Sequence, residues 1–322
     1  MIAVFAWVLP RRARLREEDE KRLHRAEKAA TEAKRKTEIA IKNIESIQKH
    51  LGIPVYADGL PTAQPSVFDP FLQGTNLMNA YKWDEAITAF QKAMREAKAS
   101  QLVALYNLIA LCYYTSGRLK PALENFEESA SLAEQFDDKQ GKANALGNIG
   151  LIYFAEGELE EALKYYQDAL RIHKEIGFKK GEAAALGNIG LIYQAKGDLD
   201  EALKYHQNAL KIDKEIGYRK GETSDLGNIA NVHYLKGDLD QALKYHQRSL
   251  EISKQIGHRE YEASELGNIG NVYYLKGDLD QALKYLNEVL KIFEEIGMLE
   301  QIEKTKRNIE RISQQMKQMK NK

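Results

Sequence analysis

From Leu146 onward the apolar positions fall on one helical stripe, break at a glycine, and resume on a second stripe. Leu146, Ile149, Gly150 and Tyr153 lie at i, i+3, i+4 and i+7, which is one side of a helix. Gly157 interrupts the stripe, and Glu158, Glu160 and Glu161 follow it, acids that suit the positive end of a new helix. Ala162, Leu163, Tyr166, Ala169, Leu170 and His173 form the second stripe, extended by Ile176 and closed by Gly177. The pair then repeats at a spacing of 40 residues: LGNIG begins at Leu146, Leu186 and Leu266, with LGNIA at Leu226. Gly157, Gly197, Gly237 and Gly277 keep that spacing, as do ALKY from Ala162, Ala202, Ala242 and Ala282, and the closing Gly177, Gly217, Gly257 and Gly297. One helical hairpin cannot bury both stripes, so neighbouring units have to stack. Two weaker units come first, marked by Gly74, Ala86, Phe90 and Ala93, then by Ala110, Tyr113, Gly117, Ala122 and Phe126.

Gly150, Tyr153, Gly157, Ala162, Tyr166 and Ala169 resemble the tetratricopeptide repeat (TPR) consensus. The resemblance covers about residues 66–297, with a unit of 40 residues and no terminal proline. It implies long second helices, similar to those of kinesin light chains. The fold it implies is all-α: a right-handed superhelical solenoid of antiparallel helix pairs, with a long N-terminal helix and a C-terminal capping helix. Six units are expected over 66–301, followed by a polar cap over 302–322 that keeps the end of the array soluble.

The first 65 residues divide differently. Residues 1–10 contain an apolar run, IAVFAWVL, followed by Arg11, Arg12, Arg14 and Arg16. The run is too short to span a bilayer and its positive charge follows rather than precedes it, so it does not read as a secretory signal. Two readings stand: the inner end of a longer membrane anchor touching a membrane through residues 2–16, or a short tail. Residues 11–52 hold no proline and carry a heptad seam from Leu23 through Ala26, Ala30, Ala33, Thr37, Ala40, Ile44 and Ile47 to Leu51, which is either a self-association helix or a cap folded onto the array. Pro54, Pro61 and Pro65 then make 53–65 a linker.

Composition narrows the chemistry. Lys plus Arg and Asp plus Glu both number 47, giving zero formal charge and no sign of a nucleic-acid partner. The single cysteine, Cys112, lies in an apolar stretch and reads as a buried, inert thiol in a reducing compartment, so a cytoplasmic location is expected, with membrane association through the N-terminus as the variant. His206 and His246 stand where sister units have Tyr166 and Leu286, and His233 stands where they have Tyr153, Tyr193 and Tyr273, which argues for packing rather than metal ligation. His233 and His246 are expected to meet between the two helices of their unit. No phosphate-cradling loop or nucleophile elbow is present. The expectation is therefore a non-enzyme without cofactor or metal.

The oddest feature is polar. Gly147, Asn148 and Gly150 sit within one helical turn, although glycine costs about 1 kcal/mol and asparagine about half that in a helix interior. Projected at 100° per residue, Asn148 and Leu151 face away from the second helix, toward the concave side of a stacked array. The series continues as Asn188 and Leu191, then Asn228, Asn231 and Leu235, then Asn268, Asn271 and Leu275. An amide offers a donor and an acceptor, so a row of them can pair with the backbone of an extended peptide. The layout resembles the asparagine ladder of the O-linked N-acetylglucosamine transferase repeat domain, and it fails at the second unit, where Leu108 holds the place. The alternative for these amides is a bond to a neighbouring carbonyl or water. Tyr234 and Tyr274, with Tyr114 and Phe154 in the same register, would line side-chain pockets or pack between units. The function expected is a scaffold that binds a protein or peptide ligand in this groove. The competing readings are a self-assembling homo-oligomer and a groove occupied by the chain's own Pro-rich strap, residues 53–70.

Overall fold

The computed structural model describes residues 70–95 and 97–320. The expected apolar segment 1–10, heptad helix 11–52 and linker 53–65 lie outside the described residues. Thirteen helices follow one another, joined by turns of a few residues, and there is no strand among the described residues. The chain divides into two compact units between Ala145 and Leu146.

The first unit contains α1 (Pro70–Asn79), α2 (Trp83–Met94), α3 (Ala99–Thr115), α4 (Leu119–Gln135) and the start of α5 (Lys139–Glu156). Here the weak repeat signal still encodes packing. Gly74 leaves room for the Phe90 ring, which would stand 2.5 Å from an added Cβ. Asn107, buried at the register one residue off the later asparagines, donates to Ser129 Oγ on α4 at 2.5 Å and to the Val103 carbonyl at 3.2 Å. Cys112 is fully buried on α3, and burial pushes its thiol up to about 12, so it stays protonated and inert.

The second unit contains the rest of α5, then α6 (Leu159–Glu175), α7 (Lys179–Lys196), α8 (Leu199–Glu215), α9 (Arg219–Leu235), α10 (Leu239–Gln255), α11 (Arg259–Leu275), α12 (Leu279–Ile296) and α13 (Leu299–Lys320). From α6 on, each helix packs against its successor, and α9 also touches α7 and α11, so the first helices of successive pairs form one row. The expected all-α array of antiparallel helix pairs is what forms.

Its turns show why the period is so strict. Gly157, Gly197, Gly237 and Gly277 have φ of 87°, 82°, 79° and 80°, a left-handed cap that a Cβ disfavours. The residue after each glycine donates back to the last turn, as Asp198 does to the Tyr193 carbonyl at 2.9 Å. Asp198, Asp238 and Asp278 then cap the next helix, each carboxylate accepting from the backbone N–H three residues on at 3.3, 3.3 and 3.0 Å.

Aromatic pairs bind the two helices of each hairpin. Tyr153 stacks on Tyr165, Tyr193 on Tyr205, His233 on Tyr245 and Tyr273 on Tyr285, with centroids 5.2 to 5.5 Å apart. His233 thus does a tyrosine's packing, as its place in the register implied. Between hairpins, Lys196 pairs with Glu160 at 2.7 Å, Lys236 with Asp200 at 2.5 Å, and Lys276 with Asp240. These exposed, solvent-screened pairs orient neighbouring hairpins and add little to stability. The final helix α13 begins at Leu299, slightly ahead of the expected cap, and buries Ile312 against Leu279 and Leu286 of α12. No helix among the described residues is long and apolar enough to cross a membrane.

Candidate functional site

The face in question belongs to the first helices α5, α7, α9 and α11. Asn188, Asn228 and Asn268 are half-buried on this face, one per helix. Asn231 is half-buried and Asn271 exposed one turn further along. Leu191 is half-buried, while Leu235 and Leu275 are 54% exposed, a high value for leucine. Asn148 and Leu151 differ: they are only 5% and 3% exposed, so the open part of the row begins at Asn188.

The hydrogen bonds of the asparagines differ from one position to the next. Asn125 and Asn287, on second helices, donate to the carbonyl four residues back at 2.8 and 2.7 Å. Asn107 and Asn148 are buried and engaged. In contrast, the amides of Asn188, Asn228, Asn231, Asn268 and Asn271 make no hydrogen bond within the described residues. Each therefore has its full donor and acceptor capacity available.

The aromatic residues beside them take mixed roles. Tyr114 is fully buried and packs in the core of its unit, whereas Phe154, Tyr234 and Tyr274 are half-buried. Burial raises the Tyr234 phenol, which keeps it a neutral donor. Tyr274 donates to Gln315 Oε1 on α13 at 3.2 Å.

The costly glycines have separate physical reasons. A Cβ on Gly150 or Gly190 would meet Tyr166 at 3.1 Å or His206 at 2.7 Å, so these sites allow close approach of the second helix. Gly227 makes room for a different group, the Glu265 carboxylate of the next first helix, which would stand 2.8 Å from a Cβ. Gly147 faces open space, and nothing in its packing requires glycine.

Glu265 and Asp225 were not singled out from the sequence, although both are buried acids. Glu265 Oε2 lies 2.6 Å from Nδ1 of His246, with both side chains nearly inaccessible. His246 therefore meets an acid of the following hairpin, and His233 instead lies 3.5 Å from Asp238. No group of three or more potential metal ligands occurs among the described residues.

A further residue escaped the sequence reading. Asn308 follows Asn268 by one repeat length on α13, and it is half-buried like the asparagines before it. The strict spacing was the available signal; treating the helix only as a polar end cap concealed it.

The tetratricopeptide repeat family model matches residues 100–175, 141–215 and 222–295. No curated protein is significantly similar to the chain. Among solved structures, a Signal Transduction ATPase with Numerous Domains protein with a tetratricopeptide repeat sensor, from Pyrococcus horikoshii, superposes with TM-score 0.59 at 19% identity, covering 70% of this chain and 35% of that one. The chain thus spans about a third of that protein's length. A Rap protein complexed with competence and sporulation factor gives TM-score 0.56 at 14% identity, covering 77% of this chain and 75% of that one. A Podospora anserina protein named for kinesin light chain, with nearly identical TPR-like repeats, gives TM-score 0.50 at 15% identity, covering 62% and 98%. At these identities the likeness is one of fold.

Proposed function

Because the chain belongs to the tetratricopeptide repeat family, we propose that it is a protein-interaction scaffold that holds an extended peptide segment along the row formed by α7, α9 and α11. Asn188, Asn228 and Asn268 form the ladder that pairs with the ligand backbone, and Asn231 and Asn271 extend it sideways. Leu191, Leu235, Leu275, Tyr234 and Tyr274 supply the apolar walls for alternate side chains. Asn148 and Leu151 support the first rung from within rather than meeting ligand.

The observation that carries this reading is the set of unengaged amides. Asparagine lowers helix stability wherever it stands, and its usual compensation is a bond to the backbone or to a neighbour. Asn125, Asn287 and Asn107 have that compensation; Asn188, Asn228 and Asn268 do not. Their spacing also suits a strand. Packed helices stand about 8–10 Å apart and an extended chain rises about 3.3 Å per residue, so successive rungs meet the ligand about every third residue.

The test is selection from displayed random peptides of about twelve residues, long enough to span about three rungs. The full chain should enrich binders, and the Asn188→Ala, Asn228→Ala, Asn268→Ala triple variant should lose them while keeping its helical circular dichroism. A triple variant that enriches the same peptides with unchanged affinity sinks the ladder.

A further inference from the structure

The repeat register does not stop at the last helix pair. Asn308 continues the asparagine series onto α13, and two contacts bring that side of α13 beside the face of α11. Tyr274 donates to Gln315 at 3.2 Å, and the Arg311 guanidinium lies 5.7 Å from the centre of the Tyr274 ring. α13 thus takes the place of a first helix in the row.

What changes at this rung is charge. In register, α7 presents Ala184, Gly187, Asn188 and Leu191; α9 presents Ser224, Gly227, Asn228 and Asn231; and α11 presents Ser264, Gly267, Asn268 and Asn271, all uncharged. The same places on α13 hold Lys304, Arg307, Asn308 and Arg311. Arg307 and Arg311 are exposed and one turn apart, and Lys304 is half-buried. None of the three is in an ion pair within the described residues. Of the acids on α13, Glu300 shares this side at the first turn, and Glu303 and Glu310, four residues before and three after Arg307, flank it along one edge without pairing to it, while Lys306 on the far side pairs with Glu294 at 3.9 Å. A neutral row of amides therefore ends on three cations, two of which are planar guanidinium groups suited to carboxylates.

We propose that this end of the row selects acidic ligands: the extended segment carries an Asp or Glu side chain that docks on Arg307 and Arg311, with Lys304 beside them and Asn308 as a further backbone rung. The proposal rests on the ladder reading above and adds the partner's chemical class. It also fixes register, because only one rung is charged and the acidic residue must sit there.

The same display library tests it, with the full chain, an Arg307→Gln, Arg311→Gln variant and the triple asparagine variant. Peptides selected on the full chain should be enriched in Asp or Glu at one place. The double glutamine variant should still select peptides but without that enrichment. By fluorescence anisotropy it should bind a peptide from the first pool roughly tenfold more weakly, with a gap that narrows in high salt. A first pool without acidic enrichment, or the same enrichment retained on the double glutamine variant, overturns the proposal and leaves the ladder standing. An unchanged acidic pool on the triple asparagine variant removes the ladder but supports the arginines as the acid-reading group. An empty first pool removes both.

Discussion

His173 makes the array sensitive to acid, by an amount that follows from its burial. It sits on α6, 5% exposed, with its ring 5.4 Å from that of Phe178 and its Nδ1 buried without a hydrogen-bond partner. Gly181 admits it: an added Cβ there would stand 2.5 Å from the imidazole. Loss of hydration lowers the His173 pKa from an ordinary 6.5 to about 4, although nearby Glu182 pulls the other way. The unfolded chain takes up this proton near pH 6.5 and the folded chain only near pH 4, so between those values the unfolded state holds more protons. Stability therefore falls as pH drops through that window and levels off below it. Integrating the two titrations gives a loss of about 2 kcal/mol between about pH 7 and pH 5, and about 3 kcal/mol by pH 4.

The assay is urea unfolding followed by circular dichroism at both ends of the window, on the native chain and on His173→Phe and His173→Ser. Phe293 and Ser253 hold the sister positions, so both side chains occur there in this fold. The two variants will differ in absolute stability, because one fills the site and the other leaves a gap. Both should lose the same pH-dependent increment, about 2 kcal/mol less destabilisation at pH 5 than the native chain shows. If either variant keeps the full acid sensitivity of the native chain, His173 is not its source and the desolvation argument fails.

Three further outcomes follow from packing. Gly227→Ala should lower stability by about 1–3 kcal/mol, since its methyl group would press on a Glu265 carboxylate already held by His246, whereas Gly147→Ala should raise it by about 0.5–1 kcal/mol; thermal melts compare them directly. Glu265→Thr should cost about 3 kcal/mol by orphaning His246, and His246→Leu with Glu265→Thr, which copies Leu286 and Thr305, should recover more than half of that in chemical denaturation. Asp198→Ala should cost about 1 kcal/mol through the lost cap of α8, a loss that Glu158→Ala, with no cap bond to lose, should not reproduce.

The fold was readable because each of its determinants is local and repeated. Turn glycines need positive φ, acids sit where a helix begins, and the stripes alternate with helical period, so every unit states the same instruction. Tyr153 and Tyr165 stack because the stripe positions place them on facing sides of one hairpin. The ends of α13 were less legible, since amphipathic periodicity continues across Leu299 without a glycine to mark a new role.

The site was legible only in part, and the reason is that coupling between hairpins is written at a separation no single stripe displays. Tyr166, His206, His246 and Leu286 share one register, and the residues nineteen positions later are Ala185, Asp225, Glu265 and Thr305. An acid stands opposite each histidine and a neutral residue opposite each of the others. The pattern is internal to the chain, yet its meaning depends on knowing that a second helix packs on the first helix of the next hairpin. Once that contact is known, the Glu265 carboxylate explains Gly227, which helical propensity alone left as a cost without a return. The same logic separates Gly147, which no packing contact requires, from its neighbours. What remains uncompensated on the row after this accounting is the amide series from Asn188 to Asn268. Under the proposed function, a residue that destabilises its helix and bonds to nothing among the described residues is held in place for a partner that lies outside them.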